Sequence, residues 1–172
     1  MKKIISFGLF AMIFICSACS NNETANSAET FDLDEYKSLV STCREDISSA
    51  VIYIGNMATY EFNYWQNLGS MPDNLSEAAY EWLSENSDAT KDTVESLHED
   101  IRSAYKDITL SEIEGNEASE IDSAIRGLYD AYSSMYSLVT SPSGTLQAFA
   151  EDISTYLDDI TSYDDDLALY LK

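Results

Sequence analysis

From Leu33 onward apolar side chains recur at alternating spacings of three and four residues almost without pause, the pattern of helices that each bury one stripe. The first segment carries Leu33, Tyr36, Val40, Cys43, Ile47, Ala50, Ile54, Met57, Glu61, Tyr64 and Leu68, opens at Asp32 or Asp34 as a cap and should stop near Gly69, with Pro72 beyond it. A second starts around Asp73 or Asn74 with Leu75, Ala79 and Trp82, and resumes after a polar patch at residues 85–92 as Val94, Leu97, Ile101, Ala104 and Ile108. Ser87 and Asp88 are themselves good caps, which makes that patch a candidate break. Residues 110–116, with Gly115, read as a connection to a third helix of Ile121, Ile125, Leu128, Tyr132, Met135 and Val139, which ends at Ser141-Pro142-Ser143-Gly144. The fourth seam is the cleanest: Leu146, Phe149, Ile153, Tyr156, Ile160, Tyr163, Leu167 and Tyr170. No segment alternates with a period of two between hairpin turns, so no sheet is expected. The pattern predicts an all-α fold, an antiparallel up-down-up-down four-helix bundle with long heptad-patterned helices. Gly55, inside the first helix at a cost of up to about 1 kcal/mol relative to Ala, reads as a tolerated defect or mild bend.

Composition narrows the function more than the fold. The chain has 172 residues, 45% of them apolar, enough for a real core in one domain. Its 31 acidic against 9 basic residues give a formal −22, which argues against nucleic-acid binding because phosphates need a Lys/Arg surface. With 2 Pro and 6 Gly, turn-dense all-β and low-complexity classes fade as well.

The first residues form a separate unit. Met1-Lys2-Lys3 is a short cationic start, followed by the apolar run from Ile4 to Ile15 and then by Cys16-Ser17-Ala18-Cys19. That is the plan of a secretory signal, with an apolar run shorter than the roughly 20 residues a spanning helix needs. Ser17-Ala18-Cys19 resembles the lipobox of bacterial lipoproteins, and the resemblance implies that the Cys19 thiol is diacylated and becomes the first mature residue. Cys16 is the poorer anchor, since bulky Ile15 precedes it. The alternative is an exported protein cut after Ala18 that keeps a free N-terminal thiol. The expected organisation is therefore a signal peptide at 1–18, a small polar tether at 19–31 and a helical domain at 32–172. Removing 18 residues and two lysines leaves 154 residues at a formal −24, with Cys43 as the one remaining free thiol once Cys19 is acylated. Two acyl chains supply the double signal that stable anchoring requires.

Little catalytic chemistry is written into the helices, and neither an enzyme nor a cofactor is expected. Glu95 and His98 have the spacing of half a carboxylate-bridged di-metal site, but such a site needs a second copy and His98 is the protein's 1 histidine. His98-Glu99 begins like a zinc-protease motif, yet Arg102 stands where its second histidine belongs. Cys43 falls on a seam and reads as a buried thiol. Counting outward from the 69–73 turn places His98 near its level, so a Cys–His pair is geometrically conceivable. The runs Asp158-Asp159 and Asp164-Asp165-Asp166 read as a solvated acidic face, with weak divalent-cation binding as the alternative.

The end of the first hairpin is the place where a partner surface or a closed end of the core is to be sought. The helix over 33–68 should reach about 54 Å and that over 145–171 about 40 Å, so the first hairpin would project roughly 10–15 Å past the second turn, away from the membrane. Trp65 and Trp82 fall there with Tyr60, Tyr64, Met71 and Tyr80. Exposed, such side chains make a hot spot; buried, they close the core. Glu61 interrupts the seam close to Trp82, as a buried polar contact or a ligand-facing carboxylate. The favoured reading is a surface-anchored, non-enzymatic interaction lipoprotein of exclusion, immunity or secretion-accessory type, with Tyr60, Glu61, Tyr64, Trp65, Met71 and Trp82 as contact residues and a basic protein favoured by charge. The competing reading is a small-ligand or divalent-cation-binding lipoprotein.

Overall fold

The computed structural model describes residues 32–86, 91–111 and 113–171, and these are almost wholly helical. Five helices follow one another: α1 (Leu33–Leu68), α2 (Leu75–Asn86), α3 (Lys91–Leu110), α4 (Asn116–Thr140) and α5 (Leu146–Ala168). No strand occurs among the described residues. The second predicted helix is thus two helices rather than one, divided at the polar patch; Ser87 and Asp88 lie outside the described residues, as do the signal, Cys19 and the tether.

The ends are set by local chemistry. The Asp32 carboxylate accepts from the Asp34 amide at the start of α1. Thr145 Oγ1 accepts from the Ala148 amide at the start of α5. At the end of α1, Gly69 takes a left-handed φ of 69° and its N–H donates to the Trp65 carbonyl, a conformation that a residue with a Cβ adopts only under strain.

One contiguous apolar cluster draws on all five helices. Helix α1 contributes Tyr36, Val40, Cys43, Ile47, Ala50, Ile54 and Met57, as the pattern predicts, but beyond Glu61 the buried stripe passes to Trp65 while Tyr64 and Leu68 face out. The cause is the helix period. A straight α-helix turns once in 3.6 residues, so a stripe read with a 3.5 repeat drifts by about 20° per heptad. Along an α1 of 36 residues that drift exceeds half the angular spacing of neighbours. Helix α4 buries every predicted seam residue and adds Ala118, Ala124 and Ala131. Helix α5 buries only Phe149, Ile160 and Leu167 fully, and packs most extensively on α4. Gly127 explains how α4 and α5 come so close: a Cβ there would lie 2.4 Å from the Tyr163 ring.

Helix α1 meets each of the other four, whereas α3 and α4 stand too far apart for extensive backbone contact. Their gap is filled by flat rings. Tyr105 stacks on Tyr129 at 3.8 Å and 7°, and His98 stacks on Tyr136 at 3.7 Å and 0°. Polar pairs tie α1 outward: Lys37 to Glu117 of α4, and Arg44 to Asp164 of α5 through two bonds of 2.6 and 2.8 Å.

Candidate functional site

The residues predicted as a contact surface sit on the last turns of α1, in the connection that follows it (Met71) and on α2 (Trp82), and the structure sorts them into three groups. Tyr60, Tyr64 and Trp82 form a ring stack: Tyr60 lies 5.8 Å and 11° from Tyr64, and 5.1 Å and 20° from Trp82. Tyr64 and Met71 are both 37% exposed, and Leu68, at 49%, extends the apolar surface between them. Desolvation pushes the Tyr60 hydroxyl above its ordinary pKa, with Tyr64, Glu81 and Glu85 adding to the effect. Leu68 entered the sequence pattern as a seam residue; its place on the outer face follows from the same drift that exchanged Tyr64 and Trp65.

Trp65 belongs to the second group. It is 5% exposed and its ring lies 6.1 Å from that of Phe149 on α5, so it closes the core and offers no surface to a partner. Of the four aromatics expected as contact residues, Tyr60, Tyr64 and Trp82 are brought together and Trp65 is turned to the core.

Glu61 stands alone as the third. Its side chain is fully buried, and neither carboxylate oxygen has a hydrogen-bond partner. Burial drives its pKa to about 8, so the group is mostly protonated at neutral pH. Tyr80 of α2 is within electrostatic reach of it, and is itself raised well above the ordinary tyrosine range by desolvation, with Tyr136, Glu95 and, least, Glu61 adding to the effect. In the sequence Tyr80 is one of the surrounding aromatics; its burial follows from its place three residues before Leu83, on a face that the seam through Trp82 misses.

The remaining candidates resolve differently from one another. Cys43 is buried, and burial with the nearby Asp46 charge pushes its thiol up to about 12, an inert protonated group at neutral pH. His98 turns to α4 rather than to Cys43: its ring lies against Tyr136, and Nδ1 is 3.2 Å from the Tyr132 hydroxyl. Desolvation lowers its pKa, and Glu99 and Arg102 act on it in opposite directions. Glu95 pairs with Lys91 and Glu99 with Arg102 on the exposed face of α3. The acidic face of α5 is not wholly solvated, because Arg44 holds Asp164. A count of bases along α5 alone misses a partner from α1. Asp158, Asp159, Asp165 and Asp166 are exposed. Among the described residues no three or more His, Cys, Asp or Glu side chains are arranged to hold a metal ion.

A shallow groove of about 270 Å³ runs between α1 and α5, lined by Gly55, Ala58, Phe62, Phe149, Ile153 and Leu157 among others. No described helix is long and apolar enough to cross a membrane. The chain matches no protein-family model, no curated protein and no solved structure, so what it can do rests on this geometry alone.

Proposed function

We propose that the chain is a bacterial lipoprotein, exported and held to the cell envelope through lipidated Cys19, whose helical domain presents a protein-contact surface at the far end of α1. In this reading the domain is an antiparallel up-down-up-down bundle in which α2 and α3 together make the second arm. Cross-helix pairs support that arrangement: Arg44–Asp164 and Trp65–Phe149 between α1 and α5, Tyr105–Tyr129 and His98–Tyr136 between α3 and α4, all with numbers rising on one helix as they fall on the other. The single observation that carries the contact surface is the exposed apolar group of Tyr64, Leu68 and Met71 beside the Tyr60–Trp82 stack, on a chain otherwise rich in charge. Rigid aromatic anchors of this kind bind at low entropic cost, and a formal −22 steers basic partners.

Two experiments test the reading in parts. Labelled fatty acid should enter the wild-type protein in bacterial cells and be absent from Cys19→Ser; labelling of both removes the anchor. A photo-crosslinking residue at position 64 or 71 should trap one discrete adduct in intact cells, weakened by salt, whereas the same probe at position 158 should not. Equal adducts at all three positions argue against a dedicated surface. The groove between α1 and α5 favours a second reading, a small apolar ligand, which requires a concentration-dependent rise in melting temperature with that ligand.

A further inference from the structure

Glu61 is the one charged side chain among the buried described residues, and its two oxygens are unpartnered. An ionised carboxylate in that position would give up its hydration and gain neither a hydrogen bond nor a counter-charge. The groups that face the Glu61 region offer no counter-charge. From α2 comes Tyr80, with Glu95 of α3 and Tyr136 of α4 acting on it from behind. Lys91 of α3 lies on the Tyr80 ring, 5.6 Å from its centre, and pairs with Glu95. His98 of α3 is engaged with Tyr136 and Tyr132. Helix α5 brings the phenyl ring of Phe149, against Trp65. The acid is therefore compatible with the closed packing in its neutral form.

Helix α2 is the element placed to respond. It has 12 residues, the fewest of the five, and is joined to α1 through the left-handed Gly69 turn. It is held to the rest by the apolar face of Leu75, Ala79, Tyr80 and Leu83, by the Trp82 ring on Tyr60 of α1, and by a bond from Ser76 Oγ to the Thr140 carbonyl at 2.9 Å, among other contacts.

We propose that the Glu61 carboxyl is a proton-operated latch: α2 packs onto α1 over the protonated acid, and release of the proton favours a state in which α2 has left α1 and water reaches the carboxylate. This device goes beyond the proposed function and stands whether or not the far end of α1 binds a partner. Closed, the carboxyl titrates at about 8; open and hydrated, it returns to its ordinary value of 4.5. The closed state then holds one proton more than the open state between those limits, so the open-to-closed ratio rises about tenfold for each pH unit from roughly 4.5 to roughly 8 and is level above that. Acid closes the latch, and neutral to mildly alkaline conditions loosen it. The neighbour that shares this pH range is His98, whose protonation acts on the α3–α4 side.

Hydrogen exchange of the full chain from pH 5 to pH 9, corrected for intrinsic rates, tests the latch. Protection over residues 75–86 should fall about tenfold per pH unit up to about pH 8 and then level off, while that over 121–139 changes far less. In Glu61→Gln the α2 protection should be independent of pH over the same range. Glu61→Leu serves equally if the glutamine variant does not fold. An α2 protection that is flat in the wild type, that falls alike in Glu61→Gln, or that falls no faster than that of α4 overturns the proposal. A pH response abolished by His98→Gln but kept in Glu61→Gln assigns it to the histidine and overturns it too. Failure of both Glu61 variants to fold at pH 6 overturns it as well, because the position would then need more than a neutral side chain.

Discussion

Two glycines with the same helical backbone should respond in opposite ways to the same added methyl. At Gly55 a Cβ meets nothing within 4 Å, so Gly55→Ala is expected to stabilise by up to about 1 kcal/mol through chain entropy alone. At Gly127 the new Cβ would sit 2.4 Å from the Tyr163 ring, and displacing that ring should outweigh the propensity gain by about 1–2 kcal/mol. Urea midpoints of the two variants check the pair; equal shifts of the same sign would show that α4 and α5 are not closely seated at this point. Residue-level legibility follows from the same physics. The burial of Val40, Cys43, Ile47 and Ile54 could be read from spacing, because a buried stripe constrains residue type. The need for glycine at 127 could not, since it depends on which ring another helix places opposite. Glu61 is legible as a flaw in an apolar series, but that neither of its oxygens meets a hydrogen-bond partner is not, since it depends on the helices packed around it.

Between helices, the best-formed polar tie is the two-pronged pair of Arg44 and Asp164, with both side chains partly shielded at 25% and 30% exposure. A double-mutant cycle over Arg44→Ala and Asp164→Ala should return a coupling of about 0.5–1 kcal/mol, smaller in high salt. A coupling indistinguishable from zero at low salt would mean that α1 and α5 are held by apolar contact alone. Helix boundaries were the most legible part of the element level. Asp32, Gly69 and Thr145 each act at an end for a reason that lies within four residues of sequence. The division between α2 and α3 was visible as a polar patch with cap residues, yet its consequence, a short helix with its own packing face, was not. The fourth seam misled in the other direction. Its Leu146, Ile153, Tyr156 and Tyr163 fit the period but are only half-buried, because α5 lies against α4 and has less contact with α1. Periodicity tells which face of a helix turns inward; how deeply it sinks depends on how many neighbours it finds.

Taken whole, the molecule carries a large negative charge with few internal cations to offset it, so raising ionic strength from low to physiological should raise its melting temperature by screening self-repulsion. A melting temperature that stays constant across that range would mean the charge is already well dispersed. Acidity acts in opposite senses through the buried Glu61 and the half-buried His98. Glu61 has its pKa raised, so its contribution is greatest in acid and is lost as pH rises towards about 8. His98 has its pKa lowered, so its contribution is present above the ordinary histidine range and is lost as pH falls below it. Below the ordinary histidine value of 6.5, where both act, stability should therefore respond to pH less steeply than either group alone would make it; above it Glu61 acts alone, and Glu61→Gln should leave a profile that climbs with pH through the histidine range. The exposed rings at the end of α1 were foreseen as a set, and their division into surface and core was not, since a single residue of helical drift separates Tyr64 from Trp65. The filling of the α3–α4 gap has a mechanical consequence. Side chains that interlock as knobs and holes fix the axial position of one helix on another, whereas parallel rings at 3.7 and 3.8 Å resist being pulled apart but shear past one another with little change in contact area. With the His98–Tyr132 contact as a directional tie across it, the boundary between α3 and α4 is thus the place where axial load on the domain should be relieved first.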